Sequence, residues 1–463
     1  MPRPGLPRRR GAGGPAAQRG RAIQAILFTL LSVAAVAVIV MLYVVLGPKA
    51  SDFAGGKRVA LSEYGQADPT GVPAALRMRG LIERGQYLTR AADCVVCHTA
   101  KDGAPFAGGR AFVLPFGTLY STNITPDPDT GIGRYTDAEF LGAIHQGIGR
   151  GNTPLYPAMP FASYTGMSDA DALAIKAYLF TLPPLHAPAP RNTLIFPLNQ
   201  RGLMRIWSML FASDKRYEPN VDRSPQWNRG AYLVEDLGHC GECHTPRNLF
   251  FALDNRRKFA GAVQAGWRAY NITPDRAAGV ADWSPEDLAS YLSTGHAGRG
   301  TAAGPMGEAI AASLSQLTAT DIDAMVTYIR SVAPVATADL PPPRTTPAPE
   351  SFADAGTPHD THAQALYAGA CAGCHGWTGI SASLPFATLI GVRAVNDPTA
   401  TNVAQIIIAG AQPHPGEAAP MPAFGTTYSD LEIAGLANFV TARFGATASQ
   451  LTAARVATMR AAD

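Results

Sequence analysis

Cys94-Val95-Val96-Cys97-His98 is the stretch on which the reading of this chain turns. Its pattern returns as Cys240-Gly241-Glu242-Cys243-His244 and as Cys371-Ala372-Gly373-Cys374-His375. Cys-x-x-Cys-His is the attachment pattern of a c-type haem, in which two thiols form thioethers with the porphyrin and the adjacent imidazole reaches the iron. All 6 cysteines of the chain lie in these three copies, and each copy carries its histidine. Two other readings of Cys-x-x-Cys fit less well. A zinc ribbon needs a second cysteine pair close by, whereas these motifs lie 146 (240−94) and 131 (371−240) residues apart. A redox dithiol does not call for the histidine. The expectation is three covalently bound haem c groups, held by Cys94 and Cys97, Cys240 and Cys243, Cys371 and Cys374, with His98, His244 and His375 as proximal iron ligands.

A length of 463 residues with 47% hydrophobic side chains suits about three ordinary globular domains. The formal charge of +3 is misleading, because residues 1–21 hold six arginines and no acid. The remainder carries 32 basic (38−6) against 35 acidic side chains, a net −3. No basic stripe is left to suggest a nucleic-acid partner. Ile23 to Leu46 is an apolar run of 24 residues without a charge, a length that suits a bilayer span. The core of a signal peptide is usually shorter, ~7–15 residues. The run ends at Gly47-Pro48-Lys49 without an A-x-A site. An uncleaved transmembrane anchor over 22–46 is expected, with cleavage within Ala50 to Ala54 as the alternative. Either way the basic arm, residues 1–21, stays in the cytoplasm and the rest is exported.

Arg84-Gly85-Gln86-Tyr87-Leu88 precedes the first motif, and Arg229-Gly230-Ala231-Tyr232-Leu233 precedes the second. Asn123-Ile124-Thr125-Pro126-Asp127 and Asn271-Ile272-Thr273-Pro274-Asp275 follow, 25 (123−98) and 27 (271−244) residues beyond the motif histidines. The first two units therefore read as an internal duplication. Each Asn-Ile-Thr also fits a glycosylation sequon, but a loop turn leading into a helix is the preferred reading. Helix starts are expected at Thr136 and Ser284, and the last helix of each unit at Ser168, Thr318 and Ser429, each with an acid three residues on. The resulting division is a tether over 47–74, units over 75–185, 222–333 and 359–446, and a tail over 447–463. Between units lie a linker over 186–221, with a short apolar helix at Leu203 to Phe211 expected to pack over a haem edge, with docking a partner or lying on the membrane surface as the alternatives, and a Pro-rich spacer over 334–358.

The sixth iron position decides between a reactive haem and an electron carrier. Met159, Met306 and Met421 lie 61 (159−98), 62 (306−244) and 46 (421−375) residues after their histidines, in Pro- and Gly-bearing segments just before a helix. A core methionine sits on a helix face, as Met325 is expected to do. An axial thioether raises the reduction potential and closes the iron to small ligands, so these three are the expected distal ligands. Met167, His145, His296 and His414 are the rivals, read as surface or supporting residues. No Ser/His/Asp arrangement, phosphate loop or carboxylate pair stands out, so no catalytic residue is expected.

From Ala75 to Gly445 the chain resembles the three-haem cytochrome c subunit of bacterial membrane-bound dehydrogenases, such as those for alcohols, gluconate, sorbitol or aldehydes. The resemblance rests on the order Arg-Gly-x-Tyr-Leu, Cys-x-x-Cys-His, Asn-Ile-Thr-Pro-Asp and a Met segment. It is sharpest at Tyr156-Pro157-Ala158-Met159-Pro160-Phe161, Ala302-Ala303-Gly304-Pro305-Met306 and Met421-Pro422-Ala423-Phe424-Gly425. It implies an all-α fold of three cytochrome c domains in series behind an N-terminal transmembrane helix. It also implies electron transfer from a catalytic partner carrying PQQ, flavin or molybdenum to ubiquinone or a terminal oxidase, at the bacterial inner membrane with the haem domains in the periplasm. Members often attach through C-terminal segments, whereas this chain keeps an N-terminal span. A multihaem peroxidase and a cytochrome subunit of a terminal oxidase are the alternatives.

Overall fold

The computed structural model describes residues 15–45, 47, 54–337, 340–350, 360–411 and 420–460. Most of the basic arm, much of the Pro-rich spacer, nearly all of the Ala50 to Ala54 cleavage region and His414 lie outside the described residues. The chain divides into two units, 1–48 and 49–463. The first is helix α1, Pro15–Val45. It contains a stretch, Arg21–Ile39, long and apolar enough to cross a membrane. The hydroxyl of Thr29 inside it donates to Ala25 O at 2.9 Å, which removes the cost of an unpaired polar group there.

The second unit begins its first haem segment with α2 (Leu81–Ala91), the one-turn α3 (Cys94–Cys97) and a hairpin of β1 (Ala111–Leu114) and β2 (Gly117–Tyr120). Then come α4 (Asp137–Gln146), a second hairpin of β3 (Ile148–Gly149) and β4 (Thr153–Pro154), α5 (Phe161–Tyr164) and α6 (Asp169–Leu179). After α7 (Leu203–Phe211) the same order returns. It runs through α8 (Pro225–Ala231), continued by a π-helical turn Tyr232–Leu237, α9 (Gly241–His244), β5 (Ala262–Gln264) and β6 (Trp267–Ala269). It is completed by α10 (Pro285–Thr294), β7 (His296–Ala297) with β8 (Gly300–Thr301), α11 (Gly304–Ala312) and α12 (Ala319–Ile329). The duplication read from sequence thus extends to both hairpins. The third segment is leaner: α13 (Thr361–Ala370), α14 (Ala372–His375), α15 (Thr401–Ala409), α16 (Asp430–Phe444) and a closing α17 (Ala453–Arg460). Helices carry the architecture, but the four hairpins are additions to the all-helical expectation.

The expected helix starts are where the residues put them. Thr136, Ser168, Ser284, Thr318 and Ser429 each accept a hydrogen bond from the backbone N–H three residues on, satisfying one of the orphan donors of a helix start. The frame of each segment is the crossing of its first and last helices, not of the motif helix itself. At these crossings side chains vanish. A Cβ on Gly85 would lie 1.9 Å from Ala174 O, and one on Gly230 1.9 Å from Ala324 O. In the third segment the roles swap, with Gly435 on the last helix facing Ala363 on the first.

The first two segments share one continuous hydrophobic core, and the third has its own. The joint between the first two is reciprocal. Tyr87 donates to Asp321 Oδ2 at 2.6 Å, and Tyr232 donates to Asp171 Oδ2 at 2.5 Å. Each tyrosine belongs to the Arg-Gly-x-Tyr repeat of one segment, and each aspartate to the first turn of the other's last helix. Arg229 adds a buried bidentate pair to Asp321, at 2.9 and 2.7 Å. Both tyrosine hydroxyls are pushed far up by burial, then by the neighbouring carboxylate, so they stay donors.

The stretches expected as tether and tail are pinned. Val59 N donates to Pro219 O at 3.0 Å, Asn228 Nδ2 donates to the hydroxyl of Tyr64, and Tyr64 and Val72 are buried. Within the described part of the Pro-rich spacer, Arg344 donates to Arg443 O at 2.8 Å. In α17, Val456 and Met459 are buried and Arg460 pairs with Asp430 at 2.5 Å. Short apolar anchors every few residues, rather than a long periodic pattern, explain why composition alone reads these segments as loose.

Candidate functional site

In the first two copies the residue before the first cysteine is left-handed, Asp93 at φ 52° and His239 at φ 37°. This break turns the chain off the preceding helix so that the cysteines start a new turn. None of the six thiols is paired in a disulfide. Among the described residues no group of three or more His, Cys, Asp or Glu side chains gathers as a zinc ion would require.

The three motif histidines share one arrangement. His98 Nδ1 lies 2.7 Å from Thr122 O, His244 Nδ1 2.6 Å from Tyr270 O, and His375 Nδ1 2.6 Å from Ala387 O. A carbonyl oxygen can only accept, so the proton sits on Nδ1 and the lone pair of Nε2 is left for a metal. Burial holds all three imidazoles below their ordinary pKa, outweighing the carbonyl bonds that act the other way. A neutral imidazole of fixed tautomer, beside two free thiols, fits a covalently attached haem.

The accepting carbonyls are not foreseen from the sequence, although a signal for them is there. Thr122 and Tyr270 stand immediately before the asparagines of the two Asn-Ile-Thr-Pro-Asp stretches. Asn123 Nδ2 donates to Leu185 O at 2.6 Å and Asn271 Nδ2 to Val335 O at 2.7 Å. Their Oδ1 atoms accept from the N–H groups of Thr125 and Thr273, both at 2.8 Å. Each asparagine thus ties the carbonyl-bearing loop to the chain leaving the last helix. Both are buried, so the turn reading holds and the sequon reading does not. The third segment has no such asparagine and uses a 3-10 turn, Pro385–Ala387.

Met159 and Met421 are half-buried at the edge of their segments' cores. Met159 N donates to Tyr156 O at 3.0 Å, and Met421 exchanges two 3.0 Å backbone bonds with Ala411. Met306 is placed differently from the expectation. It lies inside the first turn of α11, where Gly304 turns left-handed at φ 54° and Pro305 follows at a position where proline's missing N–H costs nothing. Met167 and Met325 are fully buried core residues. His296 packs on the ring of Phe386 at 5.1 Å.

His145, expected at the surface or in support of a ligand, is 1% exposed, which removes the surface reading, and its Nδ1 lies 3.6 Å from Asp169 Oδ1. Burial, then Arg216, pushes its imidazole down to about 4 against the pull of Asp169. An unfolded chain takes up this proton near pH ~6.5, whereas the folded chain resists until about 4. Its contribution is therefore complete above the unfolded value and is lost as pH falls toward the folded one. From pH 7 to 5 the loss from this group should be roughly 2 kcal/mol. Thermal melting of His145→Gln should depend less on pH over that range than the wild type. Equal slopes would refute the assignment.

Contacts link the first segment to the second and the second to the third. Ser163, just past Met159, donates to Glu242 Oε1 in the second motif at 2.9 Å, and the rings of Tyr164 and His239 meet at 5.3 Å. In return, Arg110 donates to Val96 O in the first motif at 3.0 Å and pairs with Glu308 of α11 at 2.7 Å. Between second and third segments, the hydroxyl of Tyr270 donates to Asp397 at 3.2 Å, and Thr301 donates to Phe386 O at 3.1 Å. Tyr270 and Ala387, next to Phe386, are the residues that orient His244 and His375. The same loops that fix His244 and His375 therefore form the joint, and the second segment touches both of the others.

Residues 82–183 match the family model described as cytochrome c, and residues 359–440 match that of subunit III of cbb3-type cytochrome c oxidase. The chain is 38% identical to the fructose dehydrogenase cytochrome subunit of Gluconobacter japonicus, over 86% of each chain. It is 36% identical to the gluconate 2-dehydrogenase cytochrome c subunit of Pantoea cypripedii, over 82% of this chain and 89% of that one. A nicotinate dehydrogenase subunit of Pseudomonas putida is 39% identical over 79% of this chain, but the match spans only 30% of that longer protein.

Proposed function

The chain belongs to the family of cytochrome c subunits of membrane-bound dehydrogenases, and from that premise we propose that it binds three haem c groups and relays electrons from a catalytic dehydrogenase subunit to ubiquinone or a terminal oxidase. As in its relatives, its part is electron transfer and not substrate turnover. The observation that carries the count of three is the repeated motif with its repeated histidine–carbonyl bond. Each haem, when bound, supplies a one-electron Fe(III)/Fe(II) couple. The residues supply the rest. Cys94 and Cys97, Cys240 and Cys243, Cys371 and Cys374 would hold the macrocycles. His98, His244 and His375 would present Nε2 as proximal ligands, with Met159, Met306 and Met421 as distal thioethers that keep the potential high and small ligands out. Thr122, Tyr270 and Ala387 set the ring orientations through Nδ1.

Those contacts between neighbouring segments support a relay in which the second site connects the other two. The apolar stretch of α1 would anchor the chain in the inner membrane, with the arginine-rich arm on the cytoplasmic side and the haem segments in the periplasm. The names of the relatives suggest a sugar, sugar-acid or alcohol dehydrogenase as the electron source. The oxidase-type match is confined to 359–440, whereas the dehydrogenase cytochromes match along most of the chain, so the dehydrogenase reading is preferred. The test is purification from membranes with its companions. A pyridine haemochrome assay on the denatured, acid-acetone-washed chain should give three haems, and a ratio of one or two would remove the architecture. The co-purified catalytic subunit should reduce these haems on adding its substrate. Substrate turnover by the homogeneous chain alone would overturn the assignment.

A further inference from the structure

Helix α7, expected to pack over a haem edge, uses only one face for packing. Met204 is buried, while Ile206 is 57% exposed and Met209 84% exposed. Just upstream, Phe196 is 77% exposed. A second exposed group adjoins it. Leu249 is 96% exposed, and Phe250 and Phe251 are 45% exposed each. The two are one surface. Trp207 Nε1 donates to Phe250 O at 2.8 Å, and the rings of Phe211 and Phe250 lie 5.6 Å apart.

Neither element belongs to the duplicated fold. Phe106 and Phe259 are equivalent residues, left-handed at φ 64° and 60°, whose carbonyls accept from Ile124 N and Ile272 N. Phe106 lies 8 residues after its motif histidine (106−98) and Phe259 lies 15 (259−244). The seven extra residues (15−8) of the second copy include Leu249-Phe250-Phe251. Helix α7 lies in the linker between copies. Two separate additions thus bring large apolar side chains to one place and leave them in solvent, beyond what isolated surface hydrophobes explain.

The charges indicate what covers this plate. Ile195 to Phe211 contains no acid and two arginines. Arg201 donates to Pro154 O and lies over the ring of Tyr156, and Arg205 donates to Asn152 O. Neither has a carboxylate partner among the described residues. Exposed aliphatic and aromatic side chains with uncompensated arginines at the rim are the make-up of a helix that lies in a lipid headgroup layer. A tether to a membrane-spanning helix would raise the local concentration of that surface.

We propose that α7 and the loop 247–251 form a membrane-contacting plate that seats in the boundary layer of an anionic phospholipid bilayer. The inference rests on the reading of α1 as an anchor, and the test separates the two. The full haem-loaded chain is reconstituted in phosphatidylcholine–phosphatidylglycerol vesicles that carry a diazirine on the acyl chain. After irradiation, labelled peptides are mapped by mass spectrometry. Label is expected within 195–211 and 247–251 as well as in α1. In the variant Ile206→Glu, Met209→Glu, Leu249→Glu, label at the plate should be lost while label in α1 persists. These side chains are exposed, and unchanged haem content and melting would confirm the fold. Label confined to α1 in the wild type overturns the plate and leaves the anchor standing, whereas an unlabelled α1 removes the anchor reading. Native membranes holding the whole complex provide the second arm. A plate labelled in vesicles but silent there is covered by another subunit, which would also overturn the inference.

Discussion

Gly230→Ala should be among the most damaging single substitutions in the chain. A Cβ at this position would stand 1.9 Å from Ala324 O, 2.6 Å from Ala324 C and 2.9 Å from Tyr328 Cβ. The first two are backbone atoms of α12, so no side chain can swing away and the two helices must separate. That crossing carries the Arg229–Asp321 pair and, through Asp321, the bond from Tyr87 of the first segment. Overpacking costs ~1–3 kcal/mol when the core can yield, and here it yields only by opening the joint, so roughly 3 kcal/mol is expected. For the cooperative unit formed by the first two segments, roughly 250 residues, that corresponds to a fall in melting temperature of ~6 °C. Gly85→Ala should behave alike, since its Cβ would meet Ala174 O at 1.9 Å. Gly369→Ala in α13 is the control, because nothing lies within 4 Å of its Cβ. It should be neutral or stabilising by up to ~1 kcal/mol through helix propensity. Calorimetry of the three haem-loaded variants decides the point, and similar melting temperatures for Gly230→Ala and Gly369→Ala would show that close helix approach is not what the glycine provides.

The same positions show how far the sequence can be read. Arg-Gly-x-Tyr-Leu is visible as a repeat, but its meaning needs the fold. The glycine admits the last helix of its own segment, and the tyrosine bonds an aspartate in the other segment. A side chain's reach across a joint leaves no periodicity in the sequence, so the shared core of the first two segments is not legible there. Local chemistry is. The capping residues Thr136, Ser168, Ser284, Thr318 and Ser429 act within three residues, and each starts its helix as read. The cysteine and histidine positions are read from the fixed spacing that thioether attachment would demand, and the three histidine–carbonyl bonds fit that reading. The carbonyls that orient the histidines fall between these cases. Backbone oxygens carry no residue identity, and only the asparagines placed beside Thr122 and Tyr270 betray them. Residues 54–74 and 447–460 read as loose because a few buried side chains suffice to pin a segment whose composition is otherwise that of a loop.

Met306→Ala should change the second site more than any other distal substitution changes its own, because Met306 sits on a helix end and not in a proline-clamped turn. Pro157 and Pro160 bracket Met159, and Pro420 and Pro422 flank Met421. Around Met306 the chain is Ala303-Gly304-Pro305 and Gly307, small residues that offer no nearby substitute for a lost thioether. Methionine ligation raises the potential of a haem by favouring Fe(II). Its removal should lower the potential of the second haem by on the order of 100 mV, a modest part of the ~0.8 V range that axial ligands span. The vacated position should then bind carbon monoxide in the reduced state, which a six-coordinate His/Met iron resists. The proposed third haem should be unaffected, since the residues proposed to hold it lie in a segment with its own core. The first should move slightly, because Glu308 of the same helix pairs with Arg110, which holds Val96 O in the first motif. Redox titration with carbon monoxide difference spectra of wild type and variant separates these outcomes. Unchanged spectra would pass the ligand role to another residue, and His296, half-buried on β7, is the nearest imidazole in sequence.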